Sequence, residues 1–135
     1  MQLAPYLFFE GNCEEALGFY AAVLGGEVVG IMRVGESPVA ESSPPEHHNR
    51  IMHATFNGPG ITFMAADSTE TEGEMRRASL SLASADAAEG GRVFEALAQG
   101  GTVTMPYAKQ FWGASFGMLY DRFGIRWMIA TPMAA

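Results

Sequence analysis

Basic residues are scarce: 8 Lys plus Arg stand against 15 Asp plus Glu, for a net charge of −7. Affinity for a phosphate backbone rests on clustered cations. Here only Arg76-Arg77 are adjacent, directly behind Glu70, Glu72 and Glu74. Nucleic acid is therefore not an expected partner. Long apolar runs are missing too, and none approaches the roughly 20 residues that a bilayer-spanning helix needs. The start, Met1-Gln2-Leu3-Ala4-Pro5, lacks the basic flank and apolar core of a signal peptide. Cys13 is the one cysteine, so no internal disulfide can form, which suits a reducing compartment. The expectation is a soluble, cytoplasmic protein without membrane association. With 48% hydrophobic and 17% charged residues, the composition is that of a globular chain.

The chain nearly repeats itself. Asn12-Cys13-Glu14-Glu15 has the pattern of a helix-capping box, and Asp86-Ala87-Ala88-Glu89 repeats it 74 positions on. Ala16, Phe19, Tyr20, Val23 and Leu24 follow the first box at helical spacing until Gly25-Gly26. Val93, Phe94, Leu97 and Ala98 follow the second until Gly100-Gly101. Gly90 and Gly91 cost that second helix about 1 kcal/mol each relative to Ala, so tertiary packing must hold it. Val28 and Val103 then open extended segments. Further on, Phe56 to Met64 parallels Tyr120 to Met128, each reading strand, Gly-closed turn, strand. Here the offset is 64, so the first half carries an insertion, assigned to the Ser- and Pro-rich loop 35–49.

Each half thus reads strand, helix, strand, strand, strand, an α+β chain of tandem βαβββ modules. Module one spans 3–66, an acidic linker 67–76 and module two 77–131, within a single domain over 1–135. One such half leaves a sheet face and edges open, so the two are expected to form a cupped sheet around a common hollow. Alternation assigns the faces. Trp127 and Ile129, Ile61, Phe63 and Ala65, and Met52, Ala54 and Phe56 suit the helix side. Arg126, Met128 and Ala130, Thr62, Met64 and Ala66, and His53 and Thr55 suit the hollow.

The tandem pattern resembles the vicinal oxygen chelate superfamily, which includes glyoxalase I, extradiol dioxygenases and bleomycin-resistance proteins, and within it the PhnB-like subgroup. The stretches that carry the likeness are Pro5 to Phe9 with Gly11 to Ala16, Ile51 to Ala54, Gly100 to Val103 with Met105-Pro106, Phe111-Trp112-Gly113, and Asp121 to Ile129. The resemblance implies a small-molecule cavity and a homodimer. Metal-using relatives hold their ion with His, Gln or Glu from the first and last strands of each module. The matching positions are Pro5, Met64 (Phe63 if the match slips by one), Ser79 and Met128. These are poor ligands for a hard or borderline ion, so the usual metal site is absent and no cofactor is expected. PhnB-like proteins also carry a ubiquinone methyltransferase label. No strand here runs into a glycine-rich turn that could hold a nucleotide cofactor.

Among titratable residues, His53 is the candidate general base, against a reading as a half-buried histidine bonded to a neighbour. Met64, Trp112, Arg126 and Met128 are candidate ligand-binding residues. Trp112 forms a cluster with Phe111, Tyr107 and Phe116 that could wall a pocket, support a dimer seam or be ordinary core. Arg126 could meet an anionic group, or pair with Asp121 or Glu10. Cys13 sits at a helix start, where the dipole can activate a thiol, or is a small packed side chain. His47 and His48 could join Glu46 or Glu41 at a metal, or lie solvated in the loop. The leading expectation is a protein that binds a small apolar or aromatic molecule. A lyase- or dioxygenase-like enzyme with a relocated divalent metal, using His53 with Glu10 or loop carboxylates, stays open beside it. So does a protein-interaction module built on the 35–49 loop and the aromatic cluster.

Overall fold

A computed structural model describes residues 1–131, so the last residues of the 1–135 domain assignment lie outside the described residues. The chain divides into two units, Met1–Glu72 and Gly73–Ala135. In the first, β1 (Tyr6–Phe9), α1 (Cys13–Leu24), β2 (Glu27–Arg33), β3 (Ile51–Gly58) and β4 (Ile61–Asp67) form a sheet of order β1-β4-β3-β2. In the second, β5 (Leu80–Ala83), α2 (Ala87–Leu97), β6 (Thr102–Lys109), β7 (Ser115–Tyr120) and β8 (Arg126–Ala130) give β5-β8-β7-β6. Each unit is the βαβββ module that the sequence predicts. The first and last strands of each pair parallel, and the remaining ladders are antiparallel. Two short 3-10 turns, Val34–Glu36 and Pro45–His47, punctuate the inserted loop. Arg33 ties that loop down by donating to both Glu14 carboxylate oxygens at 2.7 and 3.1 Å and to the Asn49 carbonyl at 2.9 Å.

One face of each sheet is covered by its helix. In unit one α1 packs across β2, β3 and β4, burying Leu17 and Tyr20 among Leu7, Phe9, Phe56 and Phe63. The Tyr20 and Phe63 rings meet edge to face at 6.0 Å, an arrangement that adds to area burial. In unit two Phe94 and Leu97 of α2 lie with Leu119, Trp127 and Ile129 in the core. Most assigned faces hold. Trp127, Ile129, Phe63, Ala65, Ala54 and Phe56 are buried, while Arg126, Met128, Ala130, Met64, His53 and Thr55 are half-buried. Three residues depart: Ala66 is buried, and Ile61 and Met52 are half-buried. Register shifts between Val29 and Arg33 in the β2–β3 ladder break strict alternation near Met52.

The glycines of α2 find their reason in Tyr107. A Cβ added to Gly90 would lie 2.7 Å from the Tyr107 hydroxyl, which donates to the Ala87 carbonyl at 2.8 Å. The helix gives up intrinsic propensity so that a strand aromatic can lie against its backbone. This helix ends at Leu97, before Gly100-Gly101, and closes through a turn.

The helix starts differ from the two matching boxes. Asp86 caps α2 as expected, accepting from the Ala88 amide at 3.0 Å. Asn12, by contrast, makes no side-chain cap bond. Asp67 replaces it, from the last position of β4, where the sequence suggested only the opening of the acidic linker. One Asp67 oxygen accepts from the Cys13 amide at 2.9 Å and the other from the Ile51 amide at 2.8 Å. A single carboxylate so joins the start of α1 and the start of β3 to the end of β4.

The Asp67→Asn variant turns one of these acceptors into a donor aimed at a backbone amide. It should lower the stability of the chain by about 1–3 kcal/mol, read as a shift of the urea midpoint. An unchanged midpoint would show that the clamp contributes nothing.

Candidate functional site

The sheet faces opposite the helices carry the candidate residues. In unit one the ladders set Tyr6 beside Met64, Met64 opposite Thr55, and Met32 opposite His53. Tyr6, Phe8 and Met32 are exposed, and the Tyr6 and Phe8 rings stack at 5.0 Å. The Tyr6 hydroxyl lies 3.1 Å from His53 Nδ1. Burial, and to a lesser degree Cys13, pushes the Tyr6 phenol above its ordinary range, so it stays protonated and can donate to Nδ1. His53 is therefore bonded to a neighbour, and no carboxylate orients it among the described residues.

In unit two the same face is built around methionine. Met105 stands opposite Met118, Met118 opposite Met128, and Met128 beside Ser81. All three methionines are half-buried. Directly opposed side chains on one face have Cβ atoms about 5 Å apart, so the thioethers form one continuous row. Toward one end of the strands, Arg126 stands opposite Tyr120, its guanidinium carbon 5.8 Å from the ring centroid. Its Nε is buried without a hydrogen-bond partner among the described residues. Among the described residues Asp121 does not pair with it. The Asp121 carboxylate accepts from the amides of Phe123 and Ile125 and from Trp127 Nε1, at 2.9, 3.0 and 2.9 Å.

Toward the other end, Phe116 stands opposite Ala130 and meets Trp112 edge to face at 6.3 Å. Trp112 is 38% exposed and Phe111 97% exposed, so these two are not core. Tyr107, grouped with them in the sequence, belongs instead to the helix side, at 5.6 Å from Phe94. Met105 and Met118 lie beyond the residues that the sequence pattern singles out, although the alternation Phe116, Met118, Tyr120 gives Met118 the same face as Met128.

The ladder also tests whether the superfamily's ion fits. The residues in register with Met64 and Met128 are Tyr6 and Ser81, rather than Pro5 and Ser79. Two thioethers, a protonated phenol and an alcohol do not suit a hard or borderline divalent ion. The residues present do not fit that group. Among the described residues no three His, Cys, Asp or Glu side chains gather at one point. His48 Nε2 faces the carbonyls of Ala40 and Ser43 at 2.9 and 3.1 Å, holding the inserted loop together.

Cys13 is 0% exposed. Burial, then the Asp67 and Glu14 carboxylates, pushes its thiol up to about 12, the reverse of what helix-start activation would give.

Comparisons with known proteins agree with this architecture. A family model described as 3-demethylubiquinone-9 3-methyltransferase matches residues 1–130. Protein YjdN of Escherichia coli (strain K12) is 33% identical over 138 residues, covering 96% of this chain and 94% of that protein. Protein PA1353 from Pseudomonas aeruginosa superposes with a TM-score of 0.86 at 39% identity, over 99% of each chain. A PhnB protein from Bacillus cereus gives a TM-score of 0.81 at 31% identity, over 98% of this chain and 100% of that one. A glyoxylase/bleomycin resistance protein/dioxygenase domain from Frankia sp. EAN1pec shares the fold at 13% identity and a TM-score of 0.67, over 100% of this chain and 94% of that one.

The buried thiol makes its own pH dependence. A free thiol titrates near 9, whereas folding holds Cys13 protonated up to about 12. Above pH 9 the unfolded chain therefore loses its proton first, and stability contributed at lower pH should drain away as pH rises between 9 and 12. At pH 8 the native protein should leave Ellman's reagent unreacted for as long as it stays folded, then release one equivalent in urea. Rapid reaction of the native protein would contradict the burial.

Proposed function

We propose a function from the premise that the chain belongs to the PhnB-like 3-demethylubiquinone-9 3-methyltransferase family and has the glyoxalase/bleomycin resistance fold. The protein binds a small apolar or aromatic molecule against an open sheet face. The observation that carries this reading is the methionine row Met105–Met118–Met128, half-buried on the face that α2 leaves uncovered. Thioether side chains are unbranched and polarizable, and they adapt to flat apolar ligands. Trp112 and Phe116 lie beyond the row and can stack against such a ligand. His53, hydrogen-bonded to Tyr6, offers a separate polar group on the face of unit one that α1 leaves uncovered. The donor set at the superfamily's metal positions supports binding without that ion.

The neutral bicyclic aromatic 2-naphthamide serves as a probe. It should bind saturably at one site per chain, with a change in tryptophan fluorescence. Met118→Ala, which empties the centre of the row, should weaken it about tenfold, the loss of roughly one buried side chain's contact. Binding that does not saturate, or that ignores Met118→Ala, would overturn the reading.

The same reading takes the protein as a cytoplasmic homodimer. The family resemblance supports pairing, and so does Phe111, a fully exposed large hydrophobic side chain. Sedimentation velocity at micromolar concentration should report twice the chain mass. A monomer there would remove the dimer.

A further inference from the structure

We infer that the open face of unit two takes an amphipathic anion, a small aromatic or apolar carboxylate whose charged end sits at Arg126. This inference rests on the binding reading above and names the ligand class for it.

Arg126 and Tyr120 are cross-strand partners next to the Met118–Met128 pair. Alternate residues on one strand face are about 7 Å apart. That is about the span from a carboxylate to the far edge of a naphthalene ring system. A ligand with its charge at Arg126 would thus lay its body across Met118 and Met128 and toward Met105.

Arg126 is half-buried, its guanidinium carbon lies over the Tyr120 ring, and its Nε is buried with no hydrogen-bond partner among the described residues. A charged group taken partly out of water normally finds a counter-charge. Here the nearest carboxylate in sequence, Asp121, accepts from two backbone amides and the Trp127 indole. Arg126 therefore keeps its terminal Nη donors for a carboxylate, in a setting less hydrated than open solvent. The Tyr120 ring, at cation–π distance, screens one side of the guanidinium from water. The alternative is an arginine that merely shields Tyr120.

Titration calorimetry with 2-naphthoate and 2-naphthamide separates these cases, because the two probes share shape and differ in charge. Native protein should bind 2-naphthoate about tenfold or more tightly than 2-naphthamide, the worth of a charge-assisted hydrogen bond. Arg126→Met should bring the ratio close to one and leave amide binding near its native strength. Arg126→Lys should keep part of the preference, and 0.5 M salt should reduce it in the native protein. Arg126→Lys and the salt series also decide the matter if Arg126→Met does not fold. Equal binding of both probes, untouched by Arg126→Met or by salt, would overturn the anion subsite and leave apolar binding standing. Failure of both probes to saturate would overturn the subsite and the binding reading together.

Discussion

A four-stranded sheet has two faces, and each unit of this chain supplies one helix. That shortage is the constraint on which the rest depends. The helix-covered side is a conventional core, with Tyr20, Phe56 and Phe63 in one unit and Phe94, Leu119 and Trp127 in the other. The uncovered side must be tolerable in water yet retain a strand-forming sequence. Unit one meets this with Thr55, Met64 and a hydrogen-bonded Tyr6–His53 pair, and unit two with three methionines, Tyr120 and Arg126. Such a surface is more apolar than a fully hydrated strand face. It is also too interrupted by polar groups to be a second core.

The same economy shows at the strand ends, where backbone amides need partners that neither helix nor sheet provides. Unit one uses Asp67, which bridges the Cys13 and Ile51 amides. Unit two uses Thr131, the residue 64 positions later, whose hydroxyl accepts from the amide of Ser115, itself 64 positions after Ile51. Duplication has kept the place of the device and changed its chemistry. A carboxylate serves two amides in one unit. In the other, a hydroxyl serves one strand amide while Asp86 caps the helix separately. The carboxylate has a further consequence, since it stands over the Cys13 thiol and helps to keep it protonated. Burial comes first in holding that thiol protonated, and the residue that secures the fold adds to it.

Much of this was legible in the sequence because it depends on local periodicity. The helices, the Gly-closed turns at Gly60 and Gly124, and the inward positions of Trp127 and Ile129 follow from spacing alone. The module order followed from the repeat. What was not legible depends on register between distant strands. Asn12 looks like a cap because its neighbours have the right identities, but whether Asp67 reaches that amide first is decided 54 residues away. Met105 and Met118 became site candidates only once pairing set them in line with Met128. Likewise Tyr6, and not Pro5, is in register with Met64. A slip of one residue in a strand reverses its faces, and a single sequence gives no means of fixing that slip between segments so far apart.

The methionine row raises a choice that charge can decide. Three neighbouring thioethers could in principle hold a soft monovalent cation, because sulfur donors suit copper(I). Arg126 stands next to the row on the same face, however, and its buried Nε has no hydrogen-bond partner among the described residues. Two positive charges some 7–10 Å apart at an effective dielectric near 20 repel by about 2 kcal/mol, which works directly against a cation and equally in favour of an anion. An anionic ligand gains from both neighbours, its charge from Arg126 and its apolar body from the thioethers. A neutral one gains only from the second. On the proposed reading, the arginine beside the row is therefore what sets the sign of the ligand.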